Sequence, residues 1–129
     1  MKIKSGFTTN SSSSSFVILS KNPLREKKDF EKLFKDIMGE NKLFSNLFKD
    51  VAGAFHSSAQ EMTLKEYLDD RCYEDVTEAP DVVSENISEY PFLYDGSFGN
   101  DGEWIEAFLC EAQMNYKDEN TIIDKDGGY

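Results

Sequence analysis

The apolar positions of this 129-residue chain follow two different periods, and the change from one to the other lays out its elements. Phe16, Val17, Ile18 and Leu19 form a short, continuous, β-rich run, which predicts a strand buried on both faces. Phe30, Leu33, Phe34, Ile37 and Met38 then recur at helical spacing on one stripe, after Asn22 and Pro23, which supply an N-cap and a proline at the first helical position. Gly39 ends that helix. A second periodic set, Leu43, Phe44, Leu47, Phe48, Val51 and Phe55, begins after Asn41, and the two together predict a helical hairpin. Thr63 and Glu66 have the spacing of a capping box, with Met62 and Tyr67 placed as a hydrophobic staple, so a third helix is expected to run to about Cys72 or Tyr73.

Beyond residue 73 the pattern weakens. Residues 74–89 are acidic with little period and contain Pro80, which predicts a long connection holding at most a short strand or helical turn. Residues 90–94 read as a strand. Residues 95–102 contain Gly96, Gly99 and Gly102 among Asx-type residues, which predicts a tight, ordered loop. That loop lacks the ligand order and terminal glutamate of an EF-hand. Trp104, Ile105, Phe108, Leu109 and Ala112 fit a helical stripe, while residues 104–110 are also short and aromatic enough for a strand; Asp101 as a cap and Glu103 in the first turn favour the helix. A last short strand is expected at residues 121–124, followed by a frayed tail at 125–129. Strand, helices and then mixed elements give an α+β class: one domain over residues 1–129, with a small, mostly antiparallel sheet packed against about three amphipathic helices.

The segment before the first strand is unusual. Gly6 and Phe7, then Asn10 and five serines from Ser11 to Ser15, lead directly into Phe16. Serine competes for nearby backbone groups and favours turns, so residues 8–15 are expected to form a loop. In such a loop Asn10, Ser11, Ser12 and Ser13 are candidates for an anion-binding nest, although the glycines and lysine of a phosphate-binding P-loop are missing. This start resembles that of many short proteins of bacteria and their phages, which carry no assigned activity. The resemblance covers residues 1–18. It implies a phage or mobile-element setting and no particular chemistry; the charged start, followed by no apolar stretch long enough for a signal segment, separately points to the cytoplasm, here that of a bacterial host.

Charge adds a second division. The net charge is −11. Residues 1–49 carry ten of the fourteen Lys and Arg and five of the twenty-five Asp and Glu, a balance of +5, so residues 50–129 stand at −16. The second part is too negative to bind a nucleic acid backbone directly, and it would steer the chain toward a protein partner with a basic surface. Within it, Asp95, Asp101, Glu103 and Glu106 surround Trp104 in sequence, making these five residues the candidate partner surface; the competing reading buries Trp104 in the core with the carboxylates as its solvated rim. No apolar run is long enough for a membrane span, so no membrane role is expected.

Catalytic and metal-binding candidates are few. His56 is the one histidine, at the end of a predicted helix, where it serves as a C-terminal cap. Cys72 and Cys110 are far apart with no CxxC and read as buried thiols. Neither a cofactor nor a metal is implied, and no catalytic residue is assigned. Three functions follow as expectations. One is a small acidic interaction protein that inhibits a host or defence nucleic-acid-binding protein in the manner of anti-CRISPR mimics. The second is an accessory domain that binds a nucleotide or small anion at the serine loop. The third is an enzyme of unrecognised type built on the loop at 95–103.

Overall fold

The computed structural model describes residues 13–38, 47–99 and 103–125. Its centre is a five-stranded sheet: β1 (Ser13–Ser20), β2 (Gln60–Met62), β3 (Phe92–Gly99), β4 (Met114–Lys117) and β5 (Thr121–Lys125), in the spatial order β2-β3-β1-β5-β4. Every pairing is antiparallel. The five helices of the described residues are α1 (Lys27–Met38), α2 (Leu47–Ser58), α3 (Leu64–Asp70), α4 (Asp81–Asn86) and α5 (Trp104–Glu111), with a 3-10 turn at Val76–Glu78. The α+β class expected from the periodicity is the observed one.

β1 is central because it is the run that can be buried on both sides. Phe16 and Ile18 join Tyr94, Phe98 and Ile123 on one face, covered by α1, α2 and α5; Val17 and Leu19 join Leu93 and Ile122 on the other, under α3 and α4. The alternation along β1 and β3 thus feeds two cores from one sheet. The first core is built on aromatic rings. Phe55 lies 4.7 Å from Phe16, 4.7 Å from Phe34 and 4.9 Å from Phe98, centroid to centroid, in stacked and edge-on arrangements that add to simple burial.

Several boundaries differ from expectation. The serine run is not all loop: Ser13, Ser14 and Ser15 belong to β1 and pair with Gly99, Phe98 and Ser97, so the ladder overrides serine's preference for turns. The expected loop at 95–102 is strand through Gly99, for the same reason. α1 starts at Lys27, not after Pro23, because Leu24 N–H is taken by Tyr94 Oη at 2.5 Å and Asp29 Oδ2 collects the N–H groups of Arg25 and Glu26. The connection at 74–89 holds the 3-10 turn and the six-residue α4, and α3 ends at Asp70, which leaves Cys72 exposed in the turn that follows, while Cys110 is buried as expected. β2 and β4 were not visible in the periodicity. The expected tail at 125–129 begins one residue too early, since Lys125 is the last residue of β5 and is fully buried. Gly39, Asn41, Leu43 and Phe44, and residues 126–129, lie outside the described residues.

The β4–β5 hairpin is closed by Asp118. Its Oδ1 accepts from Asn120 N at 2.7 Å and Thr121 N at 2.8 Å, and its Oδ2 accepts from Tyr116 Oη at 2.6 Å. Burial works against the charged form of Asp118, but these three donors outweigh it and hold the carboxyl below its ordinary range. The hydrogen bond to Asp118 likewise pushes the Tyr116 phenol up to about 12. Because the folded-state pKa of Asp118 is depressed, its stabilisation is present above the unfolded value and disappears as pH falls through the folded one. Asp118→Asn should therefore lower the melting temperature at neutral pH and shrink the difference between neutral and acidic melts. An equal acid-induced drop in both proteins would remove Asp118 from the account.

Candidate functional site

α5 carries the candidate site, and its apolar residues divide into two rows. Ile105 and Leu109, with Cys110, face the first core and are buried. Trp104 and Phe108, one turn apart on the neighbouring row, are 64% and 53% exposed. They are the large exposed hydrophobic side chains of the described residues, in a chain whose other aromatic residues there are mostly inside. A helix stripe as wide as 104, 105, 108, 109 and 112 cannot be buried by a single contact, and the sheet takes only one row.

Both ends of α5 are tied to the sheet. In its first turn Glu106 Oε1 accepts from Gly99 N at 3.1 Å, which satisfies a backbone donor at the end of β3. At its other end the buried ammonium of Lys125 donates to Cys110 O at 3.5 Å and to Ala112 O, placing a positive charge on the carbonyl end of the helix. The exposed pair therefore stands on a fixed platform. Beside it, between α2 and α5, runs a groove of about 550 Å³ with Lys27 and Lys49 on one wall and Glu103 and Glu106 on the other.

The five residues expected to form the partner surface do not all come together. Trp104 and Glu103 are exposed at the start of α5, as a docking surface requires. Glu106 is half-buried and serves as the tie to β3, so it is a structural group as much as a rim charge. Asp101 lies outside the described residues. Asp95 is elsewhere: it is a buried residue of β3, on the sheet face opposite α5 and paired with Arg71. Phe108 was missed: its spacing of four from Trp104 puts the two on one row of the helix, but the stripe that also holds Ile105 and Leu109 does not say which row stays exposed. Of the candidate anion-binding residues, Asn10, Ser11 and Ser12 are outside the described residues, and Ser13 is an exposed strand residue in register with Gly99. Ser14 Oγ is buried without a hydrogen-bond partner among the described residues.

Asp95 belongs to a second, smaller polar cleft of about 220 Å³. α3 ends in a Schellman motif: Tyr73 N donates to Leu68 O at 2.9 Å and Cys72 N to Asp69 O at 3.2 Å, with Cys72 in the left-handed region at φ 60°. That turn sends the Arg71 side chain to Asp95 and sets its guanidinium carbon 5.7 Å from the Tyr67 ring centroid. Burial opposes the charge on Arg71, but hydrogen bonding and Coulombic attraction to Asp95 raise its pKa overall.

His56, in the last turn of α2, is held by a backbone carbonyl and an aromatic ring. Its Nε2 lies 3.3 Å from Arg25 O and its ring packs edge-on against Phe30. It lines a pocket of about 190 Å³ with Glu61, Arg25 and Tyr94, whose polar groups bind one another. Arg25 reaches Glu61 through two bonds of 3.1 Å, and Tyr94 Oη donates to Glu61 at 3.1 Å. The Arg25 hydrogen bond holds Glu61 below its usual range, and burial pushes Tyr94 up to about 12. Among the described residues no group of three or more His, Cys, Asp or Glu is placed to hold a metal ion. None of the described helices is long and apolar enough to cross a membrane. No family model matches the chain, and no curated protein or solved structure matches it either.

Proposed function

We propose that this chain is a small acidic interaction protein that docks on a basic protein surface through the exposed face of α5. The observation that carries this is the pair Trp104 and Phe108, exposed side by side on a helix whose two ends are tied to the sheet. Leaving two large rings in water forgoes their burial, and covering them in a partner pocket would return about 2–4 kcal/mol each. Glu103 and Glu111, exposed on the same helix within a segment of −16, give the rim a sign and so select a basic surface. That the partner is a host or defence nucleic-acid-binding protein, countered by a phage or mobile-element product in the bacterial cytoplasm, rests on this charge and on the N-terminal motif alone.

Trp104 is the one tryptophan of the chain, which makes the test direct. Free protein should show the emission of a hydrated indole, shifting to the blue when a captured partner is added. Trp104→Ala with Phe108→Ala should weaken that complex by about a thousandfold, two hot spots of about 2 kcal/mol each. Glu103→Lys with Glu111→Lys should slow association at low salt and leave melting unchanged; Glu106 is kept, because it is bonded to Gly99. A blue shift that depends on protein concentration alone would give the face to a second copy of the chain. Unchanged affinity in the double alanine variant would remove α5 from the interface.

A further inference from the structure

The cleft at Asp95 lies on the sheet face opposite α5, and its chemistry is independent of the docking role proposed for Trp104 and Phe108. Packing alone does not account for its composition. An apolar side chain at position 95 would extend the surface of Val17, Leu19 and Leu93, whereas a carboxylate there must be stripped of water, and a buried ion pair generally returns no more than that desolvation. The polar character is also not confined to one position. Val17 is in register with Asp95 on one side and Asp124 on the other, and Gln60 and Asn115 extend the row to the two edge strands. Gln60, Asp95, Asp124 and Asn115 thus place a polar residue on four of the five strands at this level, on either side of Val17. Two strand spacings put the Cα atoms of Asp95 and Asp124 about 10 Å apart.

Two kinds of group converge there, and each attracts positive charge. Asp95 and Asp124 line the cleft, and the rings of Tyr67 and Tyr73 stand 6.3 Å apart on its wall. Arg71 shows the fit directly, with its guanidinium bonded to Asp95 and set over the Tyr67 ring. Its side chain is nevertheless 32% exposed, against 9% for Asp95, so the cation has a path to solvent that the carboxylate lacks.

We infer that this cleft is a receptor for a single guanidinium or alkylammonium group, and that Arg71 is the resident cation which fills it until a ligand of the same chemistry takes its place on Asp95. The exchange keeps a cation against Asp95 before and after, so it avoids the bare buried carboxylate that makes breaking such a pair unfavourable. The cleft is smaller than the roughly 300–1,000 Å³ of drug-sized pockets, so it takes the end of one side chain or a small aliphatic amine and excludes a nucleotide. The ligand is either a free amine or guanidine, or an arginine or lysine side chain of a protein.

The test is an NMR titration of the whole chain with methylguanidinium, with the blocked peptide acetyl-Gly-Arg-Gly-amide and, as the opposite charge, with inorganic phosphate. Methylguanidinium and the peptide should give saturable shifts confined to Val17, Tyr67, Asp95 and Asp124, and should displace the Arg71 Nε resonance. Asp95→Asn should abolish them. Arg71→Ala should tighten binding by about tenfold or more, the gain from removing a competitor that fills the site nine-tenths of the time. Should Arg71→Ala fail to fold, displacement of the Arg71 Nε resonance in the unmodified protein decides the question. Tighter binding of the peptide assigns the natural ligand to a protein side chain, and tighter binding of methylguanidinium to a free guanidine or amine. Shifts that stay linear, that survive Asp95→Asn, or that phosphate reproduces would overturn the assignment.

Discussion

Phe34→Asp is expected to unfold most of the chain. Phe34 is fully buried on α1 and stacks on Phe55 at 4.7 Å, and Phe55 is the ring through which Phe16 and Phe98 of the sheet meet the helices. Removing the ring alone costs about 3–5 kcal/mol, and the carboxylate adds the desolvation of an unpaired charge, for a total above about 5 kcal/mol. A domain of this size has about 5–15 kcal/mol in all. Lys32→Asp, two residues away on the exposed side of the same helix, should change stability by less than about 1 kcal/mol. Urea denaturation followed by circular dichroism separates the two. Equal midpoints for them would mean that α1 presents a different face to the sheet.

The first core was legible because its residues repeat. Phe30, Leu33 and Phe34 announce a buried helix face through their 3.6-residue period, and they are the buried residues of α1. The capping box at Thr63 and Glu66 is equally local, and both of its bonds are present, at 2.9 and 3.1 Å. β2 and β4 are different. Each is too short to show a period, and each is a strand because a neighbour offers a ladder: β3 for Gln60–Met62, β5 for Met114–Lys117. Such pairings are decided by residues 30 or so positions away or by a hairpin turn, and nothing in the segment itself reports them.

At the candidate site the division is similar. The aromatic character of α5 and the acid around it are sequence features, and they pointed to Trp104 and Glu103. Which row of the helix stays in water depends on the sheet surface beneath it, so Phe108 emerged only with the fold. Asp95 was misplaced because its neighbour Gly96 reads as a turn residue, which drew the whole segment into a loop. Once the segment is a strand, alternation sends Tyr94 to one core and Asp95 to the other face, where Arg71 meets it. The glycine that misled the local reading has a long-range cause.

That cause leads to a second large effect: Gly96→Ala should destabilise the protein by about 2–3 kcal/mol, the scale of overpacking a filled site. Gly96 faces Phe16 across the ladder, and α2 ends directly above it. A Cβ at position 96 would lie 2.6 Å from Ser58 O and 2.7 Å from Phe16 Cε2, with Phe16 Cζ nearer still. Neither neighbour can give way easily. Phe16 is held among Phe55 and Phe98, and Ser58 is the last residue of α2, two positions before Gln60 enters the sheet beside Asp95. The missing side chain is what lets the chain leave α2 and drop straight into β2. Strand propensity argues the other way, since alanine or valine fits a strand interior better than glycine by up to about 1 kcal/mol. The two effects thus have opposite signs, and valine sharpens the contrast: Gly96→Val should be worse than Gly96→Ala although it is the better strand former. Thermal melts of both variants, with the exposed neighbour Ser97→Ala as the reference for an unconstrained strand position, measure which effect wins. A rise in melting temperature from glycine through alanine to valine would show that α2 does not press on β3 at this point.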